Sequence, residues 1–200
     1  MNIMRFNDSA DAPALLLETA PTPVPRPGEL LIRVHAAGVT PTELLWYPTT
    51  HTLDGGRRTG AIPGHEFSGV VEGAGADVDP AWIGRAVFGM NDWFADGATA
   101  DYGITVPAAV SEKPSRLTHA EAASVPIGAL TAWQGLIERA KLQAGERILI
   151  HGGSGAVGVF AVQLARRTGA HVITTASVRN FDFLTQLGGE RMHRLPHRPF

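Results

Sequence analysis

Hydrophobic positions along this chain fall into two textures. Up to about residue 117 they gather in short runs punctuated by glycine and proline: GELLIRVHAAGV (28–39), EFSGVVEGAG (66–75), RAVFGM (85–90) and ADYGITVP (100–107). Short runs rich in β-branched and apolar residues predict strands, and several at this spacing predict a small barrel or sandwich. The PTPVPRPG stretch ahead of the first run is an expected extended connection, because proline lacks a backbone N–H and clashes with a preceding helical turn.

From residue 118 the period lengthens. THAEAASVPIGALTAWQGLIERAKL (118–142) predicts helix, interrupted at Pro126 and opened by a capping box in which Glu121 follows Thr118 at three residues. RILIH (147–151) predicts a strand, and VFAVQLARRTG (159–169) a helix with apolar residues every three to four positions, capped by Gly169. A second strand, HVITTAS (171–177), and a second helix, NFDFLTQLGG (180–189), follow. The expected class is α/β with a β-rich N-terminal part, divided into residues 1–117 and 118–200.

The chemistry sits between those two predicted strands. Gly153, Gly155 and Gly158 spell G-x-G-x-x-G. With 23 glycines in 200 residues the spelling alone is weak; strand before, helix after and a second strand beyond make it specific. One glycine permits a tight turn, a second lets backbone approach a pyrophosphate, and a third lets helix pack on strand. The helix start adds unpaired N–H groups and partial positive charge. Gly153, Ser154, Gly155, Ala156, Val157 and Gly158 are therefore the candidate phosphate-binding residues. An NAD-selective site places an acid at the end of the second strand to bond the ribose 2′-hydroxyl. Here that strand runs into Ser177, Val178, Arg179 and Asn180, with no acid before Asp182. Ser177 could bond a 2′-phosphate and Arg179 neutralise it, which favours NADP(H); the plainer reading makes Arg179 a solvated turn residue.

Composition narrows the class. Hydrophobic residues are 44% and charged residues 18%, with a formal net charge of −2. That is a soluble globular profile with neither a basic nucleic-acid surface nor a polybasic membrane patch, so neither partner is expected. The chain has no cysteine, which removes disulfides and thiolate zinc ligands. No run approaches the ~18 apolar residues of a membrane span, and the first residues hold no signal-peptide core, so the cytoplasm is the expected location.

In combination, GELLIRVHAAGVTPTE, IPGHEFSGVV, LTHAEAASVPIGALTAWQGL and ILIHGGSGAVGVFAVQLARRTGAHVITTAS resemble the medium-chain dehydrogenase/reductases, closest to their zinc-free quinone oxidoreductase-like branch. The resemblance runs from about Met4 to Leu187. It implies a GroES-like barrel followed by a Rossmann domain, an active site in the cleft between them, and hydride transfer from NADPH to a quinone, enone or similar electron-poor molecule. Thr131, in GALTAW, matches the family threonine near the nicotinamide; a helix residue bonding its own backbone is the plainer reading.

Departures from the family pattern matter too. Zinc-dependent members carry a cysteine where Thr40 stands, whereas Gly64, His65 and Glu66 persist. One imidazole without a thiolate is a poor zinc site even with Glu43 or Glu66 nearby, so no metal is expected and His65 and Glu66 read as a hydrogen-bonded turn. Tyr47 and Thr40 are then the candidate proton donors or polar groups at the developing oxyanion, since the family lines its cleft with this loop; Tyr47 reads equally as an exposed aromatic. Trp46, Trp93 and Phe94 either line an apolar substrate pocket or pack as ordinary core.

The C-terminal end departs most. A Rossmann domain needs about six parallel strands, and the sequence offers two, an incomplete doubly wound domain with bare ladder edges and no family homodimer contact. Leu187 onward is rich in His, Arg and Pro where family members continue into a third strand. Reading Met192 to Arg198 back into codons one nucleotide out of frame permits Cys-Ile-Asp-Tyr-Arg-Thr, close to that strand, so a frameshift is one expectation; a fragment or a genuine basic tail are the others. Three functions remain open: an NADPH-dependent quinone or enone reductase, a truncated product that binds cofactor weakly or not at all, and a zinc-type alcohol dehydrogenase-like enzyme.

Overall fold

The computed structural model describes residues 1–7, 14–40 and 42–194. The chain divides into two compact units, Met1–Pro126 and Ile127–Phe200. Among the described residues no helix is long and apolar enough to cross a membrane.

The first unit is antiparallel. β1 (Asn2–Asn7) and β2 (Ala14–Thr19) form a hairpin that the sequence pattern did not reveal, because ALLLET does not alternate. β3 (Leu30–Ala37), β4 (Glu66–Ala74), β5 (Ala86–Met90), β6 (Tyr102–Thr105) and the short β7 (Val110–Glu112) form a five-stranded sheet in the order β6-β3-β4-β5-β7. The four expected runs each hold one of these strands. Leu30, Ile32, Phe67, Val71, Val87 and Ala98 are the buried centre of this unit. The long connection from β3 to β4 carries a four-residue helix, α1 (Tyr47–Thr50). The capping box forms as expected: the Thr118 side chain accepts from the Glu121 N–H at the start of α2 (His119–Ala123), and the Glu121 carboxylate accepts from the Thr118 N–H and hydroxyl. Those bonds hold the Glu121 carboxyl below its ordinary range.

The second unit is parallel. α3 (Pro126–Trp133) starts at the expected interruption and continues into a π-helical turn, Gln134–Arg139. β8 (Arg147–Ile150), α4 (Gly158–Thr168) and β9 (His171–Ala176) form the strand–turn–helix–strand unit, and Gly169 ends α4 in the left-handed conformation at φ 86°. α5 (Phe181–Leu187) leads to β10 (Arg191–Arg194), which pairs parallel with β9 from Arg191↔Ile173 to Arg194↔Ala176. The sheet order is β10-β9-β8. The expectation of only two strands is therefore corrected: the start of the basic tail supplies the third. Ladder bonds come from backbone and ignore side-chain charge, and only Met192 of RMHR packs against the core, so the segment lacks the apolar pattern of a buried strand. The rest of the tail, residues 195–200, with most of the segment the frameshift idea invokes, lies outside the described residues.

His119 gives the first unit a pH dependence. Its ring stacks on His35 of β3 at 4.4 Å, and its Nδ1 lies 2.8 Å from Ser68 Oγ of β4. Ser68 also donates to the Val87 carbonyl, which can only accept, so the Ser68–His119 bond carries the His119 hydrogen. On the same face Arg33, bonded to Glu72, lies 3.0 Å from His35 Nε2. Burial, then His35, Lys113 and Arg33, hold the His119 pKa below its ordinary value of 6.5. The unfolded chain therefore takes up this proton more readily than the folded one. The stabilising contribution is complete above about pH 6.5 and is lost as pH falls through the acid side of that value. The apparent unfolding midpoint should fall between pH 7 and pH 5, and His119→Gln should flatten the slope; an unchanged slope in the variant refutes this assignment.

Candidate functional site

The turn between β8 and α4 is closed from two sides. Gly152 holds φ +66°, the left-handed conformation that the sharp reversal requires, so the tight-turn glycine lies just before the G-x-G-x-x-G spelling rather than within it. A Cβ on Gly153 would run into Thr174 Oγ1 of β9. A Cβ on Gly158 would sit 2.7 Å from the Gly153 Cα and closer still to the Gly152 carbonyl oxygen, so helix start and strand end touch backbone to backbone. Gly155 differs: its added Cβ would meet only the Gly152 carbonyl oxygen, at 3.2 Å, leaving its outward side open. Two buried threonines that the motif does not name pin the turn. Thr175 accepts from the Gly152 N–H through Oγ1 and from the Gly153 N–H through its carbonyl, both at 3.0 Å; Thr174 Oγ1 donates to the Ile150 carbonyl. Consecutive threonines in an otherwise apolar strand were the signal available for them.

This turn presents donors. Gly155 N–H bonds the Gly152 carbonyl, but the N–H groups of Ser154, Ala156, Val157 and Gly158 meet no acceptor among the described residues. Val157 caps α4 without a side-chain bond; in the first turn the Val159 N–H bonds the Gly155 carbonyl, whereas the Gly158 N–H has no acceptor among the described residues. Four unpaired N–H groups, an eleven-residue helix and a glycine with no Cβ on its open side fit a diphosphate.

At the end of β9, Ser177 and Arg179 stand where the sequence places them. Arg179 is exposed and pairs with no carboxylate among the described residues. Asn180, which sequence reading passed over, ties the two loops together: its Nδ2 donates to Ser154 Oγ at 2.9 Å and to Ser177 Oγ at 3.3 Å. Thr131 lies exposed on α3.

The remaining candidates belong to the first unit. Thr40 is half-buried and its carbonyl accepts from the Glu43 N–H. Tyr47 opens α1 with its ring more than half exposed, stacked on His51 at 4.5 Å and 3° and edge-on to Phe94 at 6.5 Å. Trp46 and Trp93 meet edge to face at 5.5 Å, and Trp93 stacks on His65 at 5.0 Å. Beneath this aromatic group, Glu43 and His65 are buried together. One Glu43 oxygen accepts from the Gly64 N–H at 2.7 Å and lies 2.5 Å from His65 Nδ1, while His65 Nε2 faces the Trp93 carbonyl at 2.9 Å. A carbonyl only accepts, so Nε2 carries a hydrogen, and a second proton lies between Nδ1 and the carboxylate. Both ring nitrogens are engaged, leaving no lone pair for a metal. Glu66 is buried at the start of β4, its carbonyl accepting from the Gly38 N–H.

Residues 26–115 match the family model for the alcohol dehydrogenase GroES-like domain. A probable zinc-binding mitochondrial oxidoreductase of Arthroderma benhamiae is 35% identical over 193 residues, 91% of this chain and 57% of that protein. The solved quinone oxidoreductase from Coxiella burnetii superposes with a TM-score of 0.82 at 32% identity, covering 96% of this chain and 62% of that one. A mycobacterial structure complexed with NADPH gives a TM-score of 0.82 at 26% identity, covering 99% and 60%. The chain spans about half the length of the curated relatives it matches.

Two stability outcomes follow from these contacts. Gly158→Ala should destabilise the second unit by about 1–3 kcal/mol, the usual overpacking range, and Gly155→Ala by clearly less. Equal losses in denaturant melts would show that the two glycines do not differ as described. Glu43→Ala strands the Gly64 N–H and the His65 proton in the interior and should cost the first unit about 3–5 kcal/mol, measured in urea; a loss below about 1 kcal/mol counts against the buried pair.

Proposed function

Because this chain belongs to the medium-chain dehydrogenase/reductase superfamily, with a GroES-like first unit and a partial Rossmann sheet in the second, we propose that it is an NADP(H)-dependent oxidoreductase that passes hydride to a quinone, enone or similar electron-poor small molecule. The observation that carries this reading is the turn around Gly155, whose unpaired N–H groups and open glycine fit the cofactor's pyrophosphate. The relative complexed with NADPH and the relative described as a quinone oxidoreductase support the choice of cofactor and acceptor class.

The nicotinamide ring, when bound, supplies the hydride. This chain supplies position and protons. Ser154, Ala156, Val157 and Gly158 hold the pyrophosphate through backbone N–H groups at the start of α4. Ser177 and Arg179 meet the 2′-phosphate, and Thr131 is assigned to the nicotinamide end. Tyr47, its ring held flat on His51, and Thr40 are assigned to the oxygen that becomes negative as the acceptor is reduced. Zinc does not fit: the chain has no cysteine, Thr40 offers a neutral hydroxyl, and both His65 nitrogens are committed.

One observation favours a second reading, a chain that binds cofactor weakly and does not turn over. The outer edge of β8 carries no partner strand among the described residues, and Leu149 on it is half exposed. Fluorescence titration with NADPH and turnover of a simple quinone separate the two. The first reading requires saturable binding, turnover by the wild-type chain, and a roughly hundredfold loss of kcat with little change in KM for Tyr47→Phe. Binding without turnover supports the second reading. Wild-type activity left intact by Tyr47→Phe removes Tyr47 from the proposed machinery.

A further inference from the structure

Asn180 has a role that neither the glycine motif nor the family resemblance assigns. Its amide carries two hydrogens, and each is directed at a serine oxygen: Ser154 in the glycine turn at 2.9 Å and Ser177 at the end of β9 at 3.3 Å. A serine hydroxyl has one hydrogen and two lone pairs. With an N–H directed at a lone pair, the hydroxyl hydrogen must point away from the amide. Neither hydroxyl finds an acceptor for that hydrogen among the described residues. Arg179, exposed and without a carboxylate partner among the described residues, lies between Ser177 and Asn180 in the chain. The backbone holds Asn180 in place: its own N–H donates to the Ser177 carbonyl at 2.9 Å, closing the turn before α5.

We propose that Asn180 is a specificity-determining positioning residue, which turns the Ser154 and Ser177 hydroxyls into outward donors and so selects a cofactor with a 2′-phosphate over one with a free 2′-hydroxyl. This rests on the NADP(H) reading above. A phosphate monoester dianion offers only acceptors, and the surface facing it offers two O–H groups and a guanidinium, all donors. A neutral ribose hydroxyl gains less from these donors than a dianion does, and the carboxylate that bonds it in NAD-selective sites does not occur at the end of β9 before Asp182. Asn180 also joins the pyrophosphate turn to the 2′ position, so both phosphates are read by one hydrogen-bonded unit.

Calorimetric titration of the 200-residue chain with NADP+ and with NAD+ isolates the 2′-phosphate and needs no turnover. The wild-type chain should prefer NADP+ by on the order of tenfold or more, the yield of one or two charge-assisted hydrogen bonds. Asn180→Asp should remove that preference, because a carboxylate accepts from both serines, draws their hydrogens inward and repels the phosphate; NAD+ affinity should stay within about twofold, less than one hydrogen bond is worth. Asn180→Ala, which leaves the hydroxyls free to rotate, should lose part of the preference and covers the case in which the aspartate variant fails to fold. Equal weakening of both cofactors in the variants would mean that Asn180 only braces the loop, and the inference falls while the cofactor reading stands. A wild-type chain that binds both cofactors equally, or neither, overturns the NADP(H) reading and this inference with it.

Discussion

The second unit is organised by one steric fact: the start of α4 lies against the end of β8 at a distance that admits no side chain. Gly158 rests on Gly152 and Gly153, and Gly153 in turn on Thr174 of β9. With Gly153 and Gly158 closed to any side chain, backbone lies at the surface of the turn, and it presents the N–H groups of Ser154, Ala156, Val157 and Gly158, which have no acceptor among the described residues. In the proposed function, phosphate is held through a packing constraint rather than through any charged residue placed in the loop, and Arg179 and the serines are assigned the selectivity.

Much of this was legible in the sequence. Gly-rich turn, flanking strands, amphipathic α4 and its Gly169 cap are local features, and local features are written in short windows of residues. The capping box at Thr118 was legible for the same reason. Features that depend on pairing across distance were not. β2 reads ALLLET, with three leucines in succession and no alternation, and its identity as a strand comes from the register with β1. β10 reads RMHR and is a strand because β9 offers it a ladder. Asn180 stayed hidden because its bonds run to two hydroxyls, one of them 26 residues earlier in the chain.

The first unit shows how one short motif can serve two kinds of chemistry. Gly64, His65 and Glu66 resemble part of a metal-binding pattern, but His65 is turned between the Glu43 carboxylate and the Trp93 carbonyl. Satisfying both nitrogens inside the protein removes the cost of burying an imidazole and fixes the long connection between β3 and β4 against the segment around Trp93. The aromatic side chains weighed as pocket lining therefore have a second employment. Trp46 and Trp93 pack against His65, while Tyr47, stacked on His51, is more than half exposed.

The bare edge of β8 bears on stability more than on the shape of the site. The backbone of the phosphate turn is pinned chiefly from β9 and α4: Gly152 and Gly153 to Thr175, Gly153 to Thr174, Gly158 to Gly152. Asn180 and Leu184 of α5 add contacts to Ser154 and Gly153. Ile148 and Ile150 pack into the core of this unit, whereas Leu149, between them, points to the opposite face and is half exposed. Parallel sheets are normally covered on both faces, so a strand placed so openly weakens the sheet that carries the turn. The geometry of the turn is thus set by β9, α4, α5 and Asn180, whereas the outer edge of β8, unpaired among the described residues, bears on how firmly the sheet holds it.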